Sequence, residues 1–366
     1  MLRLKVLLKR KLGWLGNPRI LPYTTYGDPD KIMITGAVIE DKGIQAPEPG
    51  HGFWKNFLNM IKRYVGAEIS GVRVKVVYGE SEVVVRTNER GLFHTLLPNN
   101  PPPSEKENCQ PVKLTLLDQV AENQGTVTAE SEVHIHDQTS DFIVVSDIDD
   151  TVMISHSSRT FRKLRLMLSK NALTRSPFEG VSGFYKALHE PVEGNKRSIF
   201  YVSGSEWNLY DLVLDFLNAQ GIPKGPLLLS DVKLKLFSIL KSGKKYKDKI
   251  TRIKALFELY YQEDFILIGD SGQKDPEIYL KIANMYPSRV KAIYIRYIGN
   301  RKHNRRLQKL FQEAGELGIE MVIVHSTTEA ARHAASRGFI DSEQVGRIRA
   351  QANKEAQLDQ DAPLIE

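Results

Sequence analysis

The chain has 366 residues, 41% of them hydrophobic and 26% charged, which is enough for a buried core and for two domains and argues against a disordered protein. No apolar run reaches the roughly eighteen residues that span a bilayer, and the basic stretch Met1 to Gly16 lacks the apolar run and cleavage site of a signal peptide. A net charge of +7 and a pI near 9.2 favour anionic partners, whether phosphate compounds, anionic lipid headgroups or nucleic acid. The single Cys109 forms no internal disulfide and points to a reducing, cytoplasmic setting.

Residues 1–25 read as a basic arm or short helix. As a helix, Leu4, Leu7, Leu8, Leu12, Trp14 and Leu15 share one side, which suits either an interfacial anchor or docking on the chain's own β-domain. Residues 26–140 read as that domain. The runs Ile32–Val38, Val72–Val77 and Glu82–Arg86 are β-branched, with a hairpin turn at Tyr78-Gly79-Glu80-Ser81. An amphipathic helical stretch, Phe53–Val65, interrupts them. Asn99 to Ser104, with three prolines in a row, is a surface loop. Val112–Leu117 and Thr126–Ile135 complete a sandwich-like set of strands.

From residue 141 to about 340, short apolar strands alternate with helical stretches. The strands are Phe142–Ser146, Ser198–Val202, Leu227–Leu229, Phe265–Ile268, Ala292–Ile295 and Met321–Val324; the helices include Trp207–Gln220, Lys249–Tyr261 and Thr328–Arg337. Such alternation predicts a parallel sheet covered by helices on both faces. Residues 341–366 read as a polar tail. His134 and His136 alternate on a strand with no third ligand nearby, and are expected on a solvated face.

Ligands of open α/β sheets bind beyond the carboxyl ends of the strands. Here those ends carry Asp147-Ile148-Asp149-Asp150-Thr151, then Ser203-Gly204-Ser205, then Gly269-Asp270-Ser271-Gly272-Gln273-Lys274-Asp275. So many carboxylates at one rim repel one another unless protons or a cation intervene, and an all-oxygen donor set suits Mg²⁺. Residues two apart in an extended segment face one side, so Asp147 and Asp149 can meet one substrate, as nucleophile and proton donor. A cation must offset the charge when a carboxylate attacks a phosphate. Lys249 is favoured for this over Lys247, because Ile250 and Ile253 follow it on the helix face. Asp275-Pro276-Glu277 also reads as a helix start, and Asp150 fits either a water-mediated metal contact or a salt bridge.

These residues resemble the haloacid dehalogenase phosphatases: Asp147-Ile-Asp-Asp-Thr-Val, Ser203, Lys249 and Gly269-Asp-Ser-Gly-Gln-Lys-Asp follow the order of that family's motifs. Pro177-Phe-Glu-Gly-Val, Trp207-Asn-Leu-Tyr-Asp and Gly269-Asp-Ser-Gly-Gln-Lys-Asp-Pro-Glu-Ile-Tyr are similar, more narrowly, to the catalytic domain of the actin-patch-associated phosphatidate phosphatases. The resemblance covers about residues 140–300. It implies a Rossmann-like α/β domain, with a small cap at about 152–197, preceded by the all-β sandwich-like domain. It also implies Asp147 as nucleophile, Asp149 as general acid and then base, and Mg²⁺ held by Asp147, the Asp149 carbonyl and Asp270, with Asp275 a further candidate ligand. Expected substrate contacts are Thr151, Ser203, Gly204, Arg159 and Arg162. One departure stands out: Ser203-Gly-Ser-Glu-Trp replaces the Ser-Ser-Ser-Pro-Trp of that family.

The implied substrate is an anionic phosphomonoester, phosphatidate first and a soluble sugar phosphate second; a third reading makes the β-domain a binding module with an accessory phosphatase. Residues 156–175 hold six basic side chains and no acid, which fits peripheral contact with an anionic membrane. No aromatic-interleaved basic platform suggests nucleic acid.

Overall fold

A computed structural model describes residues 16–41, 68–99, 111–148, 179–230, 242–298 and 301–361. The N-terminal arm at Leu4–Leu15, the helical stretch Phe53–Val65, residues 100–104, Asp149, Asp150, Thr151 and the basic segment with Arg159 and Arg162 lie outside the described residues. The chain divides into two compact units, 1–136 and 137–366.

The first unit is all β over its described residues. One sheet holds β1 (Pro18–Pro22), β2 (Thr25–Gly27), β3 (Lys31–Glu40), β6 (Leu92–Pro98) and β9 (Val133–Ile135). The other runs β5-β4-β7-β8, from β4 (Arg73–Tyr78), β5 (Ser81–Arg86), β7 (Val112–Leu116) and β8 (Thr128–Ser131). Both sheets feed one core, in which Ile32, Ile34 and Phe93 of the first meet Val74, Val76 and Leu114 of the second. Alternation along β4, with Val74, Val76 and Tyr78 inward, is the period-two pattern of a half-buried strand. Tyr78 pairs with Ser81 across a two-residue turn, and Gly79 supplies its positive φ of 55°.

Three expectations are corrected here. Pro18–Pro22, placed in the basic arm, is a strand; among the described residues it pairs only with β3, so its prolines sit on an edge where a missing N–H breaks no ladder. The run Thr126–Ile135 is two strands in different sheets, because the chain crosses over at Glu132. His136 is buried rather than solvated, its N–H donating to the Gly27 carbonyl.

The second unit is built on a six-stranded parallel sheet, β12-β11-β10-β13-β14-β15. These are β10 (Ile143–Asp147), β11 (Ile199–Glu206), β12 (Leu227–Ser230), β13 (Phe265–Asp270), β14 (Val290–Arg296) and β15 (Met321–Val324). The order is that of doubly wound sheets, with the topological switch between β10 and β13. Both strands are buried along their whole length. The described helices are α1 (Val181–His189), α2 (Tyr210–Ala219), α3 (Ser242–Leu259), α4 (Asp275–Met285), α5 (Arg301–Glu316), α6 (Thr327–Ser336) and α7 (Ser342–Asp361). Neighbouring sheet residues face opposite helices: Phe200 meets Tyr260 just past α3, while Tyr201 stacks on Tyr185 of α1.

Two more corrections follow. The described part of the expected cap, residues 179–197, contains α1, which lies on the sheet; Phe184 meets Tyr294 edge-on and Tyr185 stacks on Tyr201. The expected polar tail is α7. It begins with Gln344 reaching back to the Asp341 N–H, half of a capping box. It then packs against Gly180 and Gly183, where an added Cβ would meet Ala352 at 3.1 Å and Gln351 at 2.6 Å. Glu355 accepts the Gly180 N–H at 2.7 Å and so satisfies the start of α1.

Candidate active site

The switch point gathers three strand or helix ends. Asp147 closes β10, Asp270 closes β13, and Asp275 opens α4. All three are buried, and one carboxylate oxygen from each lies within 4.8 Å of the others. Lys249 enters from α3, on the buried face it shares with Ile253 and Leu256. Its Nζ donates to Asp147 Oδ1 at 2.6 Å and to Asp275 Oδ1 at 2.5 Å. Burial alone would lower the lysine's pKa; the two carboxylates outweigh it and hold the ammonium above the usual lysine range. Lys247 is exposed on the same helix.

Asp275 is not the helix cap. Lys274 holds that position, and the Asp275 carboxylate turns to Lys249 and, at 3.4 Å, to the Asp270 N–H. Close approach of α4 to β13 requires Gly269, where a Cβ would stand 2.7 Å from both Asp275 and Tyr279. Tyr279 hydrogen-bonds the Ile268 carbonyl, and its ring lies 5.7 Å from Lys249 Nζ. Asp270 is oriented by its own loop, with Oδ1 accepting the Gly272 and Gln273 amides at 2.6 and 3.0 Å.

Ser203 and Gly204 sit at the next strand end. Asp147 pairs with Val202, so Ser203 follows directly; it is buried, and its Oγ accepts the Ser205 N–H. The sequence did not single out several residues around this site. Ser146 Oγ donates to the Asp147 carbonyl at 2.8 Å, so the Tyr185 hydroxyl, 2.5 Å away, is the donor in their shared bond. Burial pushes the Tyr185 phenol up, which keeps that donor proton in place. Arg252, Asp248 and Ser230 were missed as well. Their contacts come from how α3 docks, and no local spacing announces them.

Among the described residues, three buried carboxylates face one ammonium, an excess of negative charge in an all-oxygen donor set. That is the setting a hard divalent cation such as Mg²⁺ fits.

Residues 142–297 match the family of the phosphatidate phosphatase APP1 catalytic domain. This stretch is similar to the catalytic domain of a phosphatidate phosphatase. It contains Asp147, Ser203, Lys249, Asp270 and Asp275. The chain is 30% identical over 157 residues, 43% of its own length, to Phosphatidate phosphatase APP1 of Saccharomyces cerevisiae, covering 26% of that protein. An uncharacterised protein of Schizosaccharomyces pombe is 27% identical over 225 residues, 59% of this chain and 34% of the relative. The chain thus spans about a third or less of the curated relatives it matches. Among solved structures, a carbohydrate acetylesterase from Xanthomonas citri aligns at 11% identity over 80% of this chain and 72% of its own, with a TM-score of 0.25. That score is too low to bear on fold or activity.

Proposed function

We propose that this protein is a Mg²⁺-dependent phosphatase of the haloacid dehalogenase type. In this reading it removes phosphate from phosphatidate at a membrane surface by way of an aspartyl-phosphate on Asp147. The reading rests on one observation: Asp147, Lys249, Asp270 and Asp275 converge within the stretch that matches a phosphatidate phosphatase catalytic domain.

Asp147 attacks phosphorus and the bond to the lipid oxygen breaks, with Asp149 giving that oxygen its proton. Asp149 then takes a proton from the water that cleaves the aspartyl-phosphate, releasing inorganic phosphate and regenerating Asp147. Lys249 offsets the charge of Asp147 and of the incoming phosphoryl oxygens. Ser203 donates to one of those oxygens, and Asp275 holds Lys249 in place. Asp147 and Asp270 would hold Mg²⁺, with Asp275 adjoining; the ion, when bound, neutralises charge built up on the transferring group. Among the described residues no helix is long and apolar enough to cross a membrane. The basic segment with Arg159 and Arg162 is the proposed contact to anionic headgroups.

The test is phosphate release from phosphatidate in mixed micelles and from soluble phosphomonoesters, with Mg²⁺ or with chelator. Asp147→Asn should cost more than about 10³-fold in kcat, and Asp149→Asn at least about 10²-fold. Full activity in chelator, or in Asp147→Asn, would falsify the mechanism; preference for a soluble phosphomonoester would remove the lipid and keep the chemistry.

A further inference from the structure

β11 and β12 pair at Tyr201↔Leu227 and Val202↔Leu228, then only again at Glu206↔Ser230. Ser203, Gly204 and Ser205 therefore stand opposite Leu229 alone, a bulge that takes backbone groups out of the ladder. It begins one residue beyond Val202, the neighbour of Asp147. Arg252 of α3 fills the break. Its Nη1 donates to the Ser203 carbonyl at 3.0 Å and also to the Leu228 carbonyl. Its Nη2 donates to Asp248 Oδ2 at 2.8 Å, and Ser230 Oγ donates to that same oxygen at 2.8 Å.

A planar trans peptide points its C=O and N–H in opposite directions. Holding the Ser203 carbonyl therefore sets the direction of the Gly204 N–H, and the Ser205 amide fixes the Ser203 hydroxyl from the other side. One helical turn of α3 thus engages both halves of the rim, Lys249 on Asp147 and Asp275, and Arg252 on the bulge.

We propose that Arg252, braced by Asp248, is a positioning residue for phosphate recognition. It holds the Ser203–Gly204 bulge in register with Asp147 so that both can engage phosphoryl oxygens. The inference rests on the phosphatase reading above. Only a planar fork with several fixed donors reaches two carbonyls and a carboxylate at once; an ammonium does not replace it.

The test uses the full chain, with kcat and KM on a soluble phosphomonoester, product inhibition by phosphate, and calorimetric binding of inorganic phosphate. Arg252→Ala should raise KM and the phosphate inhibition constant about tenfold or more, leaving kcat within a few fold. Guanidinium added to Arg252→Ala should restore phosphate affinity and should not affect wild type. Arg252→Lys should stay impaired. Asp248→Asn, a milder change should Arg252→Ala not fold, should weaken phosphate binding in the same direction. Unchanged phosphate affinity in these variants, or a fall in kcat alone, overturns the proposal. Calorimetry needs no turnover and so separates the two readings. A wild type that binds phosphate through Arg252 yet hydrolyses nothing keeps this inference and removes the phosphatase assignment.

Discussion

Buried polar side chains serve different ends in the two units. In the β unit they tie off peptide groups where strands stop. Ser131 Oγ takes the Thr25 amide and gives to the Tyr23 carbonyl; Thr87 Oγ1 takes the Val72 amide and gives to the Ile69 carbonyl; Asp28 accepts the amides of Asp30 and Lys31. At the rim of the parallel sheet, Asp147, Lys249 and Asp275 are drawn from far apart in sequence and bond to one another, with Asp270 beside them. Polar groups that serve the fold answer to the backbone, whatever their separation in sequence. Those that serve chemistry are charged, unbalanced and collected from several elements.

The sharpest way to break this contrast is Lys249→Met. It leaves Asp147 and Asp275 buried without their shared cation, which costs about 3–5 kcal/mol in urea denaturation and removes activity. Adding Asp275→Asn should recover part of the stability and none of the activity. A Lys249→Met protein as stable as wild type would mean that the lysine neutralises nothing.

A second pair of variants sharpens it. Ser131→Ala should cost about 1–3 kcal/mol, because it abandons buried peptide partners, with kcat unchanged. Asp270→Asn keeps the acceptor for Gly272 and Gln273 and removes one of three like charges. In chelator it should melt at or above the wild-type temperature, while its Mg²⁺-supported activity falls. If both variants lose similar stability, the distinction between the units disappears.

The smallest effect belongs to the surface of the β unit. Hydrogen bonds from Arg73 hold the Asp118 carboxyl below the usual carboxylate range. A depressed folded pKa gives stability above the ordinary aspartate value, about 3.9, that is lost as pH falls through the lower folded value. Asp118→Asn should therefore melt slightly below wild type at neutral pH. The gap should close in acid and shrink with salt.

The rim was legible because β10 and β13 are uninterrupted apolar runs ending in aspartate, and chemistry in such sheets sits at strand ends. Lys249 could be chosen over Lys247 because the apolar face of its helix was readable. Arg252, Ser146 and Tyr185 were not legible, since their partners are backbone carbonyls or side chains brought near only by docking. Strand β1 was absorbed into the basic arm that precedes it, since Pro18–Pro22 is a short strand on a sheet edge. Helix α7 was hidden by its small and polar contact face, where Ile348, Gln351 and Ala352 lack a broad apolar stripe. Asp341-Ser342-Glu343-Gln344 was the available signal of its start.

The bond from Gly180 N–H to Glu355 joins residues 175 apart in sequence, and this sets an order of assembly. A chain leaving the ribosome exposes α1 long before the residue that completes its first turn has been made. The stretch that matches the phosphatase family is finished at residue 297, while the surface at Gly180 and Gly183 still waits for Gln351 and Ala352. The surface at Gly180 and Gly183 is therefore covered only after residues 351–355 have been made, and a fragment trimmed at residue 297 would leave it exposed.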